Sequence, residues 1–408
     1  MNIERGKERN DQPHDATAHL AQEMEEAVKR ALRANTTTIV VPGSREAVMT
    51  FDTRCYHILK DKMDLMKKVV GDGPSGADDV FVDEQMKGVG RNAVILLDRP
   101  RPILGKEILC ARGKGLLVDP LNLDVEFDLF DVYRRMGEDV NPAGMHRVDV
   151  NYNELGFAVS SRHVNEPMGG LFLRNAENEF HMGRRILDVG FACDIPLAYG
   201  RFTNFKSPKG QELGFVFMGI INLDKRGDRL LTEINQHYLP KVEGGDGAAK
   251  DMWRHDVEEV SRGWGLTLRQ LHDFGFTHGN PHIGNFRFRE TVTVCDLHDM
   301  HELRYLTRPQ AFGYVASDLR NMLTAGERLE RNRLYQTYDI HPLKAAIRGY
   351  FFDRMDKVDI EGMMGYAERI KHGVIAIDDL FGEAERASLI EMNHPFIRLI
   401  RETMRVNR

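Results

Sequence analysis

The sequence predicts an α+β fold of two lobes, a small mostly β lobe with one helix and a large helical lobe, behind an N-terminal extension. Three observations predict it. Strand-like runs bounded by turn residues recur between about Asn151 and Ile221. One amphipathic helical pattern, Asn175 to Val189, interrupts them, and after Asn222 apolar spacings of three and four dominate.

Residues 1–18 are polar and expected to be mobile. From Thr17 to Ala34 the residues Leu20, Met24, Val28, Ala31 and Leu32 recur at helical spacing, so 1–36 forms a mobile, then helical, leader. Thr37 to Val41 is β-branched and closed by Pro42-Gly43, a strand entering a turn, and a helix is expected over about Cys55 to Val70. Ala93 to Leu97, Ile108 to Ala111 and Leu116 to Val118 read as strands broken by Pro100, Pro102 and a Gly113–Gly115 turn. Residues 37–150 are therefore an α/β extension that is either a separate domain or an elaboration of the lobe after it.

Gly71-Asp72-Gly73-Pro74-Ser75-Gly76 matches G-x-G-x-x-G. A dinucleotide site needs a helix to open inside that motif, whereas Pro74 leads here toward the strand-like Val80-Phe81-Val82, so the segment reads as a loop.

The small lobe is expected over 151–222. Gly156 to Ser160 and Gly170 to Leu173 are strand candidates, followed by the Asn175 helix and by strands at Leu197 to Phe202 and Gly214 to Ile221. The large lobe, 223–408, begins with a helix whose apolar face is Val257, Val260, Trp264, Leu268 and Leu271. Alternating Phe286, Phe288 and Val292, Val294 mark a hairpin turning near Arg289-Glu290.

Composition narrows the function classes. A formal charge of −6, with basic residues dispersed among acids, argues against a nucleic-acid binder or a polybasic membrane binder. The 4 cysteines stand far apart without a CxxC pair, as expected of free thiols in a reducing cytoplasm. The N-terminus is too polar for a secretory leader, and no apolar run is long enough to span a bilayer.

The chemistry concentrates in Leu271–Phe286 and Val294–His298. Helix end, turn-rich loop, hairpin and exposed aspartate follow in order, which places Asn285 and Asp296 at two ends of one hairpin. A carboxylate and an amide oxygen are donors that Mg²⁺ accepts alongside phosphate oxygens and water. Alone, each would read as a turn-capping residue; the pair at hairpin spacing points to a metal site holding a nucleotide.

Leu271-His272-x-x-Gly275-x-x-His278-Gly279 resembles the run entering the catalytic loop of aminoglycoside-phosphotransferase-type members of the protein-kinase-like superfamily. Asp296-Leu297-His298 is similar to the Asp-Leu-His of lipopolysaccharide core heptose kinases. The resemblance covers about residues 151–408 and implies ATP and Mg²⁺ as cofactors, with a small-molecule, glycolipid or protein acceptor. It implies that Asn285 and Asp296 hold metal and that Asn280 stands where the family places its catalytic aspartate. His282 is the replacement base, or, with His278, a residue that fastens the loop on the nucleotide side.

The family also carries a lysine on its third strand, paired with a glutamate on the next helix. No lysine occurs between Lys114 and Lys206, so Arg174 becomes the stand-in clamp, with Glu179 its partner and Glu177 second. His278, His282, His298 and His301 also admit a transition-metal centre with Asp296 or Asp299, although glycines and Pro281 keep the first two off a shared helix face. Asp318, in Tyr314 to Leu323, is expected only to pack. The leading expectation is an atypical phosphotransferase, set against a pseudokinase that senses nucleotide or binds protein, a nucleotidyltransferase on the same fold, and a globular protein with a look-alike loop.

Overall fold

The structure is a computed structural model. It describes residues 36–351 apart from 57–58, 75–79, 82–91, 104–105, 122, 124–147, 153–157, 164–166, 168, 222–224, 289–291 and 307. The leader helix, the hairpin turn at Arg289-Glu290 and the tail after Phe351 lie outside the described residues.

The main sheet is antiparallel and has 8 strands. It contains β1 (Thr36–Val41), β2 (Ala47–Asp52), β3 (Val80–Phe81), β4 (Asn92–Ile103), β5 (Lys106–Lys114), β8 (Leu171–Phe172), β9 (Ile195–Lys206) and β10 (Glu212–Ile220). Their order is β1-β2-β9-β10-β5-β4-β3, with β8 attached to β10. Among the described residues, the strands β6 (Val148–Tyr152) and β7 (Ala158–His163) pair only with each other.

Strands on either side of residue 150 share one sheet, because β5 bonds directly to β10 from Lys114↔Val216 to Cys110↔Ile220. The described part of the Gly156 to Ser160 candidate, from Ala158 on, belongs to β7 and pairs with β6. Prolines do not break β4. A register shift between Leu96 and Arg101 absorbs Pro100, and the pairing resumes through Pro102↔Glu107.

Strand alternation sets the packing. On β10, Leu213, Phe215 and Phe217 enter one buried cluster with Met49, Phe51, Ile95, Met66 and Val69. Val216 and Met218 point the other way, into a second cluster that includes Phe180, Trp253, Trp264, Leu268 and Phe286. In chain order the helices are α1 (Thr53–Tyr56), α2 (Met63–Asp72), α3 (Leu173–Asp188), α4 (Gly227–Glu243), α5 (Gly247–Asp273), α6 (Arg308–Glu330), α7 (Arg333–Tyr338) and α8 (Pro342–Tyr350). The helix expected over Cys55 to Val70 is divided by a 3₁₀ turn, Lys60–Lys62.

Helix α3 buries Ala176, Phe180, Gly183 and Ile186, a three-and-four spaced stripe that packs on the sheet. Asp246 caps α5 by accepting from the Ala249 N–H, and α5 runs into the loop before the short β12 (Phe276–Thr277). Four further small strands complete the site region: β11 (Lys225–Arg226), β13 (Phe286–Phe288) and β14 (Thr293–Val294) form one sheet, while β15 (His301–Glu302) pairs with β12. Among the described residues no helix is long and apolar enough to cross a membrane.

Candidate functional site

Two strand pairings bring the loop and the aspartate together. The hairpin forms as expected, with Phe286↔Val294 and Arg287↔Thr293 in register. Phe276 and Thr277, which enter the loop, pair with Glu302 and His301, which follow Asp296. The Cys295 N–H also donates to the Asn285 carbonyl oxygen (3.0 Å), so Asp296 begins where the hairpin closes.

The loop Thr277–Asn285 is pinned from below. Asp318, fully buried on α6, accepts hydrogen bonds from the backbone N–H groups of His278 (2.6 Å) and Gly279 (2.7 Å). His272 Nε2 lies 3.0 Å from the same carboxylate, and its Nδ1 lies 2.6 Å from the Tyr350 hydroxyl. Trp264 Nε1 donates to the Pro281 carbonyl (2.8 Å). Gly279 has φ +80°, and a Cβ there would lie 2.3 Å from the Asp299 carbonyl oxygen, so only glycine fits. Asp318 is thus a positioning residue that the sequence reading left in the packing.

Within the loop, Asn285 Nδ2 donates to the Asn280 carbonyl (2.9 Å), which turns Oδ1 the other way. That oxygen accepts from Arg226 Nη2 (3.3 Å). Asp296 adopts φ 65°, ψ 59°, a left-handed conformation that costs an L residue about 1 kcal/mol and that Asp tolerates best after Asn and Gly. The resulting turn carries the carboxylate back toward the main sheet.

There it meets Lys114, the last residue of β5. Lys114 Nζ contacts Asp296 Oδ1 and lies 3.0 Å from both Glu179 Oε2 and His298 Nδ1. Lys114 Nζ thus sits among three polar partners; His298 Nδ1 also lies 3.0 Å from Asp296 Oδ1, and its Nε2 lies 2.9 Å from Asp299 Oδ2. Glu179 is fully buried, and the Lys114 ammonium is the opposite charge that accompanies it.

The cation paired with Glu179 is therefore Lys114 and not the expected Arg174. Glu179 is where the sequence placed it, on the helix, but Arg174 is exposed in the first turn of α3, its guanidinium 5.9 Å from the Phe172 ring. The expected strand was too long by the residues that open the helix, because Leu173 already has helical geometry.

Helix α3 is fastened to the segment after Asp296 along its length. Asn178 Nδ2 donates to the carbonyls of His298 (2.7 Å) and Met300 (3.0 Å). Arg185 grips Glu302 with two parallel bonds of 3.1 Å. Farther back, Asp194, 1 % exposed, lies 3.1 Å from Arg112 Nη2 and 3.2 Å from Arg287 Nε.

The histidines do not form one centre. His278 is fully buried with its ring 5.3 Å from Phe286. His301 packs 4.1 Å from Tyr314. Burial, then the nearby Arg226 charge, lowers His282 to about 4, leaving a neutral and weakly basic imidazole at pH 7. Glu179, Asp296 and His298 offer ligand atoms within 4.8 Å of one another, but Lys114 already bonds to all three. Of the two metal donors expected from the sequence, the Asp296 carboxylate is 24 % exposed, whereas Asn285 is 1 % exposed and its Oδ1 accepts from Arg226.

No family model matches the chain, and no curated protein matches it. Similar solved structures include WaaP in complex with acyl carrier protein, at 15 % identity and TM-score 0.33, covering 59 % of this chain and 96 % of that one. A divergent kinase lacking the glycine-rich loop, which regulates membrane ultrastructure of the Toxoplasma parasitophorous vacuole, gives 13 % identity and TM-score 0.23 over 99 % of this chain and 100 % of that one. A glucosamine kinase gives 13 % identity and TM-score 0.26 over 83 % and 90 %. None reaches a TM-score of 0.5, and the chemistry is carried by the side chains above.

Proposed function

We propose that this chain is an atypical ATP- and Mg²⁺-dependent phosphotransferase of bilobal, protein-kinase-like fold, acting on a hydroxyl of a small-molecule, glycolipid or protein acceptor. The observation that carries the reading is the meeting of Lys114, Glu179 and Asp296 beside the loop that holds Asn280 and Asn285. Phosphoryl transfer demands positioned charge more than covalent chemistry. Lys114, oriented by Glu179, is a fixed cation for phosphate oxygens, and Asp296 supplies a carboxylate for Mg²⁺. The ion, when bound, neutralises phosphate charge.

Asn280 orients a hydroxyl through its amide but takes no proton from it. Loss of a general base costs roughly 10²–10⁴ in rate while positioning and electrostatics persist. His282, weakly basic, restores little of this, so turnover is slow. Asn280 also favours the second reading, a pseudokinase that binds nucleotide without transfer.

Thermal shift with ATP and Mg²⁺ tests the reading. Stabilisation that Asp296→Ala removes supports it, and an unchanged melting curve with the natural protein overturns it. Turnover that rises in Asn280→Asp identifies a slowed phosphotransferase; turnover absent in both identifies the pseudokinase.

A further inference from the structure

Arg226 is held on the Asn285 loop by three separate constraints. β11 pairs antiparallel with β13, which sets Arg226 opposite Arg287, two positions beyond Asn285. Gly227 opens α4 so close to the loop that a Cβ there would lie 2.7 Å from the Ile283 side chain and 2.8 Å from its carbonyl oxygen. The guanidinium donates through Nε to the Gly284 carbonyl and through Nη2 to Asn285 Oδ1 (3.3 Å). The carboxylate of Asp228 is 3.9 Å away and 55 % exposed, while the Arg226 side chain is itself 35 % exposed. A guanidinium with a weak, solvated counter-charge is thus fixed at the mouth of the loop.

The oxygen that it engages is the one the metal reading assigns to a divalent ion. Mg²⁺ would sit about 2.1 Å from that oxygen. A guanidinium bonded to the same atom repels such an ion, yet offers planar N–H donors of the kind that fork onto phosphate oxygens. Resting on the nucleotide site above, we propose that Arg226 is a phosphate-binding residue that stands in for the divalent ion at Asn285. The triphosphate is then held by Lys114, by Arg226 and by a single metal ion at Asp296.

Calorimetric titration of the full chain with β,γ-imido-ATP and with adenosine, at several Mg²⁺ concentrations, tests this without any turnover. In the natural protein, analogue binding saturates with one Mg²⁺ per site. Arg226→Gln weakens the analogue roughly tenfold to a hundredfold, the worth of a charge-assisted contact, and shifts saturation to higher Mg²⁺. Adenosine, which has no phosphate, is bound within about twofold of the natural protein, because the lost contact is to phosphate. Arg226→Lys, which keeps the charge but loses the fork, falls between the two and serves should the glutamine variant not fold. Equal weakening of analogue and adenosine, no weakening of either, or two Mg²⁺ ions per site in the natural protein overturns the assignment of Arg226 while the nucleotide site stands. Failure of the natural protein to bind either ligand overturns both.

Discussion

Lys114 Nζ lies 3.0 Å from Glu179 Oε2, although 65 residues of chain separate them. The contact joins the end of strand β5 to helix α3 and sets both against Asp296. Lys114→Met leaves Glu179 charged, buried and without its ammonium, which costs about 3–5 kcal/mol. Urea denaturation is expected to show that loss, with Lys114→Met/Glu179→Met recovering part of it. The nucleotide-dependent thermal shift disappears in both variants and persists in Arg174→Ala.

Asp318 offers two oxygens to two loop N–H groups and to His272. Asn presents only one acceptor, so Asp318→Asn strands at least one buried donor at a cost of about 1–3 kcal/mol. The expected readout is a lower urea midpoint together with faster amide exchange at His278 and Gly279. Unchanged exchange at those two amides would count against the anchoring role.

His282 gives the site a pH signature. Its folded pKa of about 4 lies below the ordinary 6.5, so between these values the unfolded chain takes up a proton that the folded chain refuses. Stability therefore falls as pH drops from 6.5 toward 4 and is insensitive to this group above 6.5. Comparing urea midpoints at pH 7, 5.5 and 4.5 should show a steeper acid decline in the natural protein than in His282→Gln. Parallel declines would contradict the burial argument.

All four cysteines are free and buried. Burial raises the Cys55 thiol to about 12 and lifts Cys110, Cys193 and Cys295 above their ordinary value. At pH 8 an alkylating reagent is expected to leave the folded protein unmodified and to label every cysteine in denaturant, as mass spectrometry would register.

What the sequence disclosed was short-range. The hairpin needs only a few residues between Phe286 and Val294, and its alternation is printed in the chain, so Asn285 and Asp296 were legible as a pair. Glu179 was legible because the helical pattern holding it is strong. Lys114 was not: it lies 182 residues from Asp296, and the glycines flanking it mimic the end of a strand. In the folded sheet Gly113 is needed because a Cβ would strike Leu116 and Phe217, so a packing requirement was read as a turn. Asp318 and Arg226 were hidden for a related reason. Each acts on loop backbone or amide atoms 39 to 59 residues away, and a lone charged residue carries no local sign of such a bond.

The buried carboxylate of Asp194 has a mechanical consequence. One of its arginines, Arg112, stands two residues before Lys114, and the other, Arg287, two residues after Asn285. Prising the strand from the hairpin would strip a desolvated anion of a counterion, a penalty of about 3–5 kcal/mol. The strand that ends in Lys114 and the hairpin that opens after Asn285 are therefore riveted to each other by one shared anion.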